Sequence, residues 1–148
     1  MVFDFKEQMK IGDIGEREFI SRYPSINAKK PDHRVFDFDS DVGSIELKTD
    51  NYEMSKTPNF YFEKISDLKS MKLGGPWRAS KDEVDHFVYF YIRDMTFFWF
   101  DPSTLSPFLD KYILDKPYKS VKNRGWISTG YCVPRVDVEH LLIKKEKF

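Results

Sequence analysis

The chain has 148 residues, of which 41% are hydrophobic and 17% aromatic, and its formal net charge is zero. This length can bury a full hydrophobic core, and we expect one domain over residues 1–148. The single cysteine, Cys132, excludes an internal disulfide and a cysteine-based metal cluster, and we expect it to be a buried apolar residue. No secretory signal or apolar run of membrane-spanning length is visible, which favours a soluble cytoplasmic protein of cellular, phage or mobile-element origin.

The first predicted element is a helix over residues 5–22, which ends before Pro24. At about 100° per residue, one helix face is predicted to be apolar, with Glu16 in its middle; it contains Met9, Gly12, Phe19, Ile20 and Tyr23. Glu18 points the opposite way, beside Arg22. A carboxylate on a buried face requires compensation, which a metal site would supply. The alternative is a capping box, with Asp13 as the cap and Glu16 as its partner.

Residues 35–49 alternate apolar and polar side chains on two arms and predict a β-hairpin. The residues 40–43, Ser-Asp-Val-Gly, provide the turn. A turn centred between Asp41 and Val42 places Asp37 directly opposite Glu46. Lys48 lies two residues beyond Glu46, on the same face of the strand.

Opposed carboxylates destabilise a sheet unless a cation lies between them, and carboxylate oxygens are the ligands that Mg²⁺ prefers. We therefore expect Asp37 and Glu46 to form a metal site, with Lys48 close enough to steer or activate a water. The alternative interpretation is a surface hairpin with a solvated acidic face.

The glycine and glutamates of residues 12–20, an aspartate in a strand, and the Ile-Glu-Leu-Lys of residues 45–48 together resemble the core of the PD-(D/E)xK nuclease superfamily. Within it, the archaeal Holliday-junction resolvases are the most similar. The resemblance covers residues 12–49. It implies a restriction-endonuclease-like core, Glu16, Asp37 and Glu46 as metal ligands or their supports, and Lys48 as the catalytic lysine.

The chain differs from the family at the Pro-Asp pair, because Asp37 follows Phe36. A literal Pro-Asp pair occurs at Asp32, in a polar segment before the strand. We favour Asp37, since it lies mid-strand opposite Glu46, and Asp32 and Asp39 remain the alternatives.

The remaining pattern predicts an α/β fold, with a central mixed β-sheet flanked by helices. The predicted elements are a strand at 59–63, a loop at 69–78, a strand hairpin at 84–92 and 96–100, a helix from 103 to about 114 with Pro102 before its cap, an edge strand at 130–134 and a short element at 138–143.

The predicted loop at 69–78 contains Gly-Gly-Pro-Trp-Arg and lacks the spacing of a phosphate-binding P-loop. We expect an unusual backbone conformation near the site. Trp77 can stack on a base, although a packing role is the commoner fate of a tryptophan, and Arg78 can bind a phosphate. Glu63 is a possible further ligand, but we expect it to lie on the surface.

Basic residues are concentrated in the last third of the chain, where residues 116–148 contain eight basic and three acidic side chains. Lys116, Lys119, Lys122 and Arg124 form a predicted DNA-binding segment. The residues Lys144, Lys145 and Lys147 are equally well explained as a solvated tail. Lys29, Lys30 and Arg34, beside the hairpin, are the alternative basic contacts.

These patterns predict a Mg²⁺-dependent endodeoxyribonuclease in which Mn²⁺ can substitute for Mg²⁺. The resemblance favours branched DNA, which requires two cuts and therefore a homodimer or higher oligomer. A sequence-specific homing or restriction endonuclease is the alternative substrate class. A non-catalytic nucleic-acid-binding protein with the same fold is the alternative from another class.

Overall fold

The aromatic strands of this chain pair into two four-stranded β-sheets. The computed structural model describes residues 5–33 and 35–148. Sheet I has the strand order β1-β4-β5-β8, and sheet II has the order β3-β2-β7-β6. The elements are α1 (Phe5–Arg22), β1 (Ile45–Asp50), β2 (Asn59–Asp67), β3 (Lys72–Leu73), α2 (Gly75–Lys81), β4 (His86–Tyr91), β5 (Thr96–Phe100), α3 (Pro102–Tyr112), β6 (Lys119–Lys122), β7 (Ile127–Pro134), α4 (Arg135–Val138) and β8 (Leu142–Lys147).

Sheet I is mixed, because β1 runs parallel to β4 while β4, β5 and β8 pair antiparallel. Sheet II is antiparallel throughout. Helices pack against the sheets, so the α/β class with a mixed sheet is confirmed. In the described part of the chain, no helix has the length and apolar character needed to cross a membrane.

Two aromatic clusters cover the two faces of sheet I. On one face, Phe19 of α1 and Tyr23, the residue that follows this helix, pack against Phe97 and Trp99 of β5. On the other face, Phe60 of β2 meets the rings of β4 and β5, and the buried side chains of α2 and α3 complete this cluster. Rings of this size bury large apolar areas, which explains how a chain with 32% charged residues forms a closed core.

A buried polar contact joins the two sheets beside β1. The Tyr89 hydroxyl donates a short hydrogen bond to the Asp50 carboxylate, and it accepts a hydrogen bond from the backbone N–H of Tyr61 at 3.1 Å. Both residues are buried, at 9% exposure for Asp50 and 0% for Tyr89. The position of β2 is therefore fixed relative to sheet I by a satisfied polar group.

The predicted helix over residues 5–22 is confirmed, but the face that is buried differs from the predicted one. The buried stripe is Gly15, Phe19 and Tyr23, whereas Met9 is 53% and Ile20 is 41% exposed. These three residues have i, i+4, i+8 spacing and lie on one side of the helix. Gly15 has no side chain, so the helix backbone approaches Thr49 closely on this side. The capping-box interpretation of residues 13–16 was wrong, since they lie in the middle of α1.

Four further predictions require correction. The first arm of the predicted hairpin is not a strand: only Phe38 and Asp39 make isolated bridges, to Ile45 and Lys29. The predicted loop at 69–78 contains β3 and the start of α2. The predicted edge strand at 130–134 is part of β7, which lies between β2 and β6. Its Cys132 is only half-buried.

The helix predicted from residue 103 is α3, which begins one residue earlier than expected. Asp101 is its N-cap and accepts a hydrogen bond from the Ser103 N–H at 2.9 Å. Pro102 occupies the first turn, where a missing N–H costs no intrahelical hydrogen bond. The predicted strand at 59–63 and the strand hairpin at 84–100 correspond to β2, β4 and β5 and are confirmed.

We predict opposite stability effects at the two glycines of α1. A Cβ at position 15 would lie 1.9 Å from the Thr49 Oγ1, whereas a Cβ at position 12 meets nothing within 4 Å. Gly15→Ala should therefore lower the free energy of unfolding by about 1–3 kcal/mol, as overpacking does. Gly12→Ala should raise it by about 0.5–1 kcal/mol. Urea titration of both variants measures the two values, and equal effects would contradict the close approach of α1 to β1.

Candidate active site

Asp37 and Glu46 lie side by side, as the predicted turn requires. Phe38 and Ile45 exchange backbone hydrogen bonds of 3.0 and 2.8 Å, and this register sets Asp37 opposite Glu46. The Asp37 carboxylate accepts the Leu47 N–H at 2.8 Å, so its side chain is anchored on β1. The two carboxyl groups therefore face each other, close enough for the charge of Asp37 to act on Glu46.

The carboxyl pair opens into a cavity of about 270 Å³ between β1, β2 and the start of α2. The charged and polar side chains that line it are Asp37, Glu46, Lys48, Tyr61, Glu63, Ser66 and Arg78. Three of the four predicted catalytic residues are therefore brought together. The competing aspartates, Asp32 and Asp39, are exposed and do not line the cavity.

Burial and like charge act together on Glu46. With all its neighbours included, the pKa of Glu46 is raised to about 9, and desolvation by burial is the largest cause, followed by the charge of Asp37 and its side-chain interaction with Glu46. Arg78 lowers this pKa and Glu16 raises it. Where two carboxyl groups lie side by side with little access to solvent, one of them keeps its proton. A bound cation can take the place of that proton.

Glu16 lies beside the cavity, on α1, and is held there by Lys30. The Lys30 Nζ lies 2.8 Å from the Glu16 Oε2, and the Glu16 side chain is 20% exposed. The hydrogen bond and charge of Glu16 raise the pKa of Lys30, and Asp13 and Asp37 contribute in the same direction. Lys30 thus connects α1 to the segment that carries Asp37. Glu18 pairs with Arg22 at 3.4 Å on the exposed side of the helix, as expected.

Glu63 is the site residue whose placement was predicted wrongly, because it lines the cavity instead of the surface. Desolvation raises its pKa, and the charge of Lys48 lowers it. The glycine pair explains its confinement: a Cβ on Gly74 would lie 2.6 Å from the Glu63 carboxylate, and one on Gly75 would lie 2.5 Å from its backbone oxygen. Gly75 also has φ +50°, so the expected unusual backbone is confirmed.

Tyr61 is a cavity residue that the sequence reasoning missed. Its hydroxyl is buried and has no hydrogen-bond partner among the described residues. Burial raises the pKa of Tyr61 to about 12, and the charge of Glu63 adds to this shift. Its ring lies over Gly130, where a Cβ would come within 2.6 Å of it. The signal was the alternation along β2, which separates Tyr61 and Glu63 from the core residues Phe60 and Phe62.

Arg78 is the predicted DNA-binding residue that lies in the cavity, where it faces Glu46 and also pairs with Asp82 at 3.3 Å. Trp77 is 5% exposed and donates a hydrogen bond to Asp110 at 2.7 Å, so it packs in the core. Base stacking by Trp77 is therefore not available in this structure.

The other predicted DNA-binding residues lie outside the cavity, on and beside β6. Lys116, Lys119, Lys122 and Arg124 are all exposed. Lys119 is aligned with Gly130 of β7, and Gly130 is aligned with Glu63 of β2. Lys119 is therefore two strand spacings, about 10 Å, from Glu63, which lines the cavity. Of the alternative basic residues, Lys30 pairs with Glu16, and Arg34 lies outside the described residues.

The carboxyl pair suits a hard divalent cation. Mg²⁺ is commonly held by one or two carboxylates, with water and substrate phosphate completing its coordination. Asp37 and Glu46 provide such a pair. Over residues 5–33 and 35–148, no group of three or more His, Cys, Asp or Glu side chains forms a ready-made metal site.

No protein-family model, no curated protein and no solved structure matches this chain.

The raised pKa of Glu46 predicts how the stability of the metal-free protein depends on pH. The folded protein holds a proton that an ordinary glutamate loses near pH 4.5, so this contribution is complete below that pH and is lost as the pH rises towards 9. The melting temperature should fall over this range. In Glu46→Gln the fall should be smaller, whereas the exposed control Glu18→Gln should behave as wild type. Scanning calorimetry in a chelator checks this, and parallel pH profiles for all three proteins would contradict it.

Proposed function

We propose that this protein is a Mg²⁺-dependent endodeoxyribonuclease. The observation that carries the proposal is the adjacent Asp37–Glu46 carboxyl pair, which lines one cavity with Lys48 and Arg78. Two carboxylates beside two positively charged side chains suit phosphodiester hydrolysis. In this reaction a metal ion and positive side chains offset the charge of the reacting phosphate.

Asp37 and Glu46 would hold Mg²⁺, or Mn²⁺ in its place. When bound, the cation supplies a water of lowered pKa and neutralises phosphate charge. Loading the site requires the carboxyl pair to release its proton, so metal affinity should rise with pH. Asp37 keeps its orientation through the hydrogen bond from the Leu47 N–H, which limits the rearrangement needed on binding.

Lys48 is the residue best placed to act on the water or the phosphate. It lines the cavity two residues after Glu46, and it has no ion-pair partner within 4.0 Å among the described residues. An ammonium has no lone pair and cannot ligate a metal, so its role is to donate hydrogen bonds and positive charge. Glu63, whose pKa is lowered by the charge of Lys48, would orient it from β2.

Arg78 and Glu16 would have supporting roles. The guanidinium of Arg78 can bind a phosphate oxygen, because its fork of N–H donors fits that geometry. Glu16 would support the metal or the lysine through its electrostatic effect on Glu46. The Glu16–Lys30 ion pair keeps α1 close to the segment of Asp37.

The substrate class and oligomeric state follow from the same proposal. Branched DNA, cut twice by a two-fold dimer, is the favoured substrate, and a sequence-specific homing or restriction target is the alternative. A non-catalytic DNA-binding protein would need neither the buried carboxyl pair nor the lysine. Comparing cleavage of matched linear, flapped and four-way DNA in Mg²⁺ separates the substrate classes.

We predict that Asp37→Asn, Glu46→Gln and Lys48→Ala each reduce cleavage at least 100-fold, since each removes a charge from the reacting centre. The two carboxylate variants should also lose Mn²⁺ binding, whereas Lys48→Ala should retain it. Asp39→Asn, an exposed aspartate two residues from Asp37, is the matched control and should cut normally.

Cleavage assays in Mg²⁺ and calorimetric Mn²⁺ titrations measure these effects, with DNA binding in Ca²⁺ as the test of an intact fold. If wild-type protein binds DNA equally with and without metal and never cuts it, the non-catalytic alternative is correct. If the control loses activity and Asp37→Asn does not, the metal site lies elsewhere.

We also predict that the DNA-binding segment of Lys116, Lys119, Lys122 and Arg124 contacts duplex DNA. Changing Lys116, Lys119, Lys122 and Arg124 to Gln should weaken binding to every duplex in Ca²⁺ and flatten the slope of log K against log salt by about 0.9 for each lost phosphate contact. Lys144, Lys145 and Lys147 changed together to Gln provide the control, on β8 at the edge of sheet I. An unchanged slope in the first variant would mean that DNA binds to another surface of the protein.

A further inference from the structure

A second groove lies between two turns at one end of sheet II. The β2–β3 turn contributes Asp67, Leu68 and Lys69, and the β6–β7 turn contributes Lys122, Trp126 and Ile127. The two turns are held together by a hydrogen bond from the Leu68 N–H to the Ile127 carbonyl at 2.8 Å. The groove has a volume of about 550 Å³, within the range of pockets that bind small organic groups.

The groove combines apolar walls with a positive rim. Over residues 67–72 and 119–126 there are five basic side chains and one acidic side chain. The carboxylate of that acid, Asp67, accepts the N–H of Lys69 at 3.1 Å, within its own turn. Trp126 is half-buried in the wall, and Leu68 is 42% exposed. A basic groove with an aromatic wall is the arrangement that binds single-stranded nucleic acid, because bases stack while lysines contact phosphates.

The groove and the cavity are neighbours on the same strand. Ser66 lines the cavity and Asp67 lines the groove, although the two are successive residues. From Glu63 to Leu68 the chain advances five residues, about 16 Å in a strand, which is the axial length of about five base pairs. A strand that leaves a duplex held at the cavity can therefore reach the groove within a few nucleotides.

We propose that this groove binds an unpaired DNA strand, and that the substrate is DNA in which a single-stranded branch adjoins a duplex. The inference rests on the nuclease proposal for its substrate. The binding site itself does not depend on catalysis. Its chemistry is recognition of bases by stacking and of phosphates by Lys69 and Lys122.

The tryptophans provide a direct probe of the groove. Trp77 and Trp99 are 5% and 1% exposed, so Trp126 is the tryptophan that a bound base can contact. Titration of the full-length protein with (dT)₁₂ in Ca²⁺ should quench the tryptophan fluorescence, and Trp126→Phe should abolish most of that change. Trp126→Ala should weaken (dT)₁₂ binding about fivefold or more.

The charge test uses exposed lysines and leaves the fold undisturbed. Lys69→Gln with Lys122→Gln should weaken (dT)₁₂ binding and lower its salt slope by about 1.4, or 0.7 for each phosphate contact. Lys145→Gln with Lys147→Gln makes the same charge change on β8 and should have no such effect. Lys69→Gln alone, which leaves the predicted DNA-binding segment of Lys116, Lys119, Lys122 and Arg124 intact, should also cut flapped DNA more slowly than wild type while cutting linear duplex at a similar rate.

Absence of quenching, or equal (dT)₁₂ affinity in the groove and control variants, would overturn the inference. If wild type cuts linear duplex in Mg²⁺ and (dT)₁₂ does not quench it, the groove proposal alone fails. If (dT)₁₂ binds the groove and no DNA is cut, the nuclease proposal alone fails. Equal quenching by (rU)₁₂ would show that the groove recognises bases and phosphates without selecting DNA.

Discussion

The structure around the cavity depends on the contact between two carboxyl groups, Asp37 and Glu46, where burial and the charge of Asp37 raise the pKa of Glu46. Asp37 and Glu46 are forced together by the Phe38–Ile45 register, which buries both apolar side chains on the opposite face. A slip of one residue would separate the carboxyl groups, but it would also expose Phe38 and Ile45. The hydrophobic core therefore maintains an electrostatic conflict that two independent surface carboxylates would avoid. Sites of this kind are where functional groups are expected.

The surroundings of the pair are arranged to limit this conflict without removing it. Arg78 and Lys48 supply positive charge to the cavity, while Lys30 compensates Glu16 beside it. Neither Arg78 nor Lys30 forms a closed ion pair with Asp37 or Glu46, since Arg78 pairs with Asp82 and Lys30 pairs with Glu16. The raised pKa of Glu46 therefore persists, and the protein is less stable at neutral pH than it would be without this contact. Such a cost is common in functional sites.

The sequence was sufficient where local patterns determine structure. The register that pairs Asp37 with Glu46 could be predicted from the turn residues and from the alternation of apolar and polar side chains. Helix α1 could be predicted from its apolar periodicity and from Pro24, before which it ends. The sheet order could not be predicted, because pairing between distant strands, such as β1 with β4, leaves no local pattern. The same limit applies to Glu63 and Tyr61, which reach the cavity only because β2 is fixed beside β1. Gly74 and Gly75 were noticeable in the sequence, but their role became clear only from their contacts with Glu63.

The hydrogen bond that Tyr61 donates from its backbone to the Tyr89 hydroxyl has a consequence for motion. Tyr89 is fully buried and anchored on Asp50, so releasing this amide requires the two sheets to part at their most tightly packed point. Amides with this kind of protection exchange with solvent only in openings close to global unfolding. The wall of the cavity formed by β2 is therefore among the slowest-opening parts of the molecule.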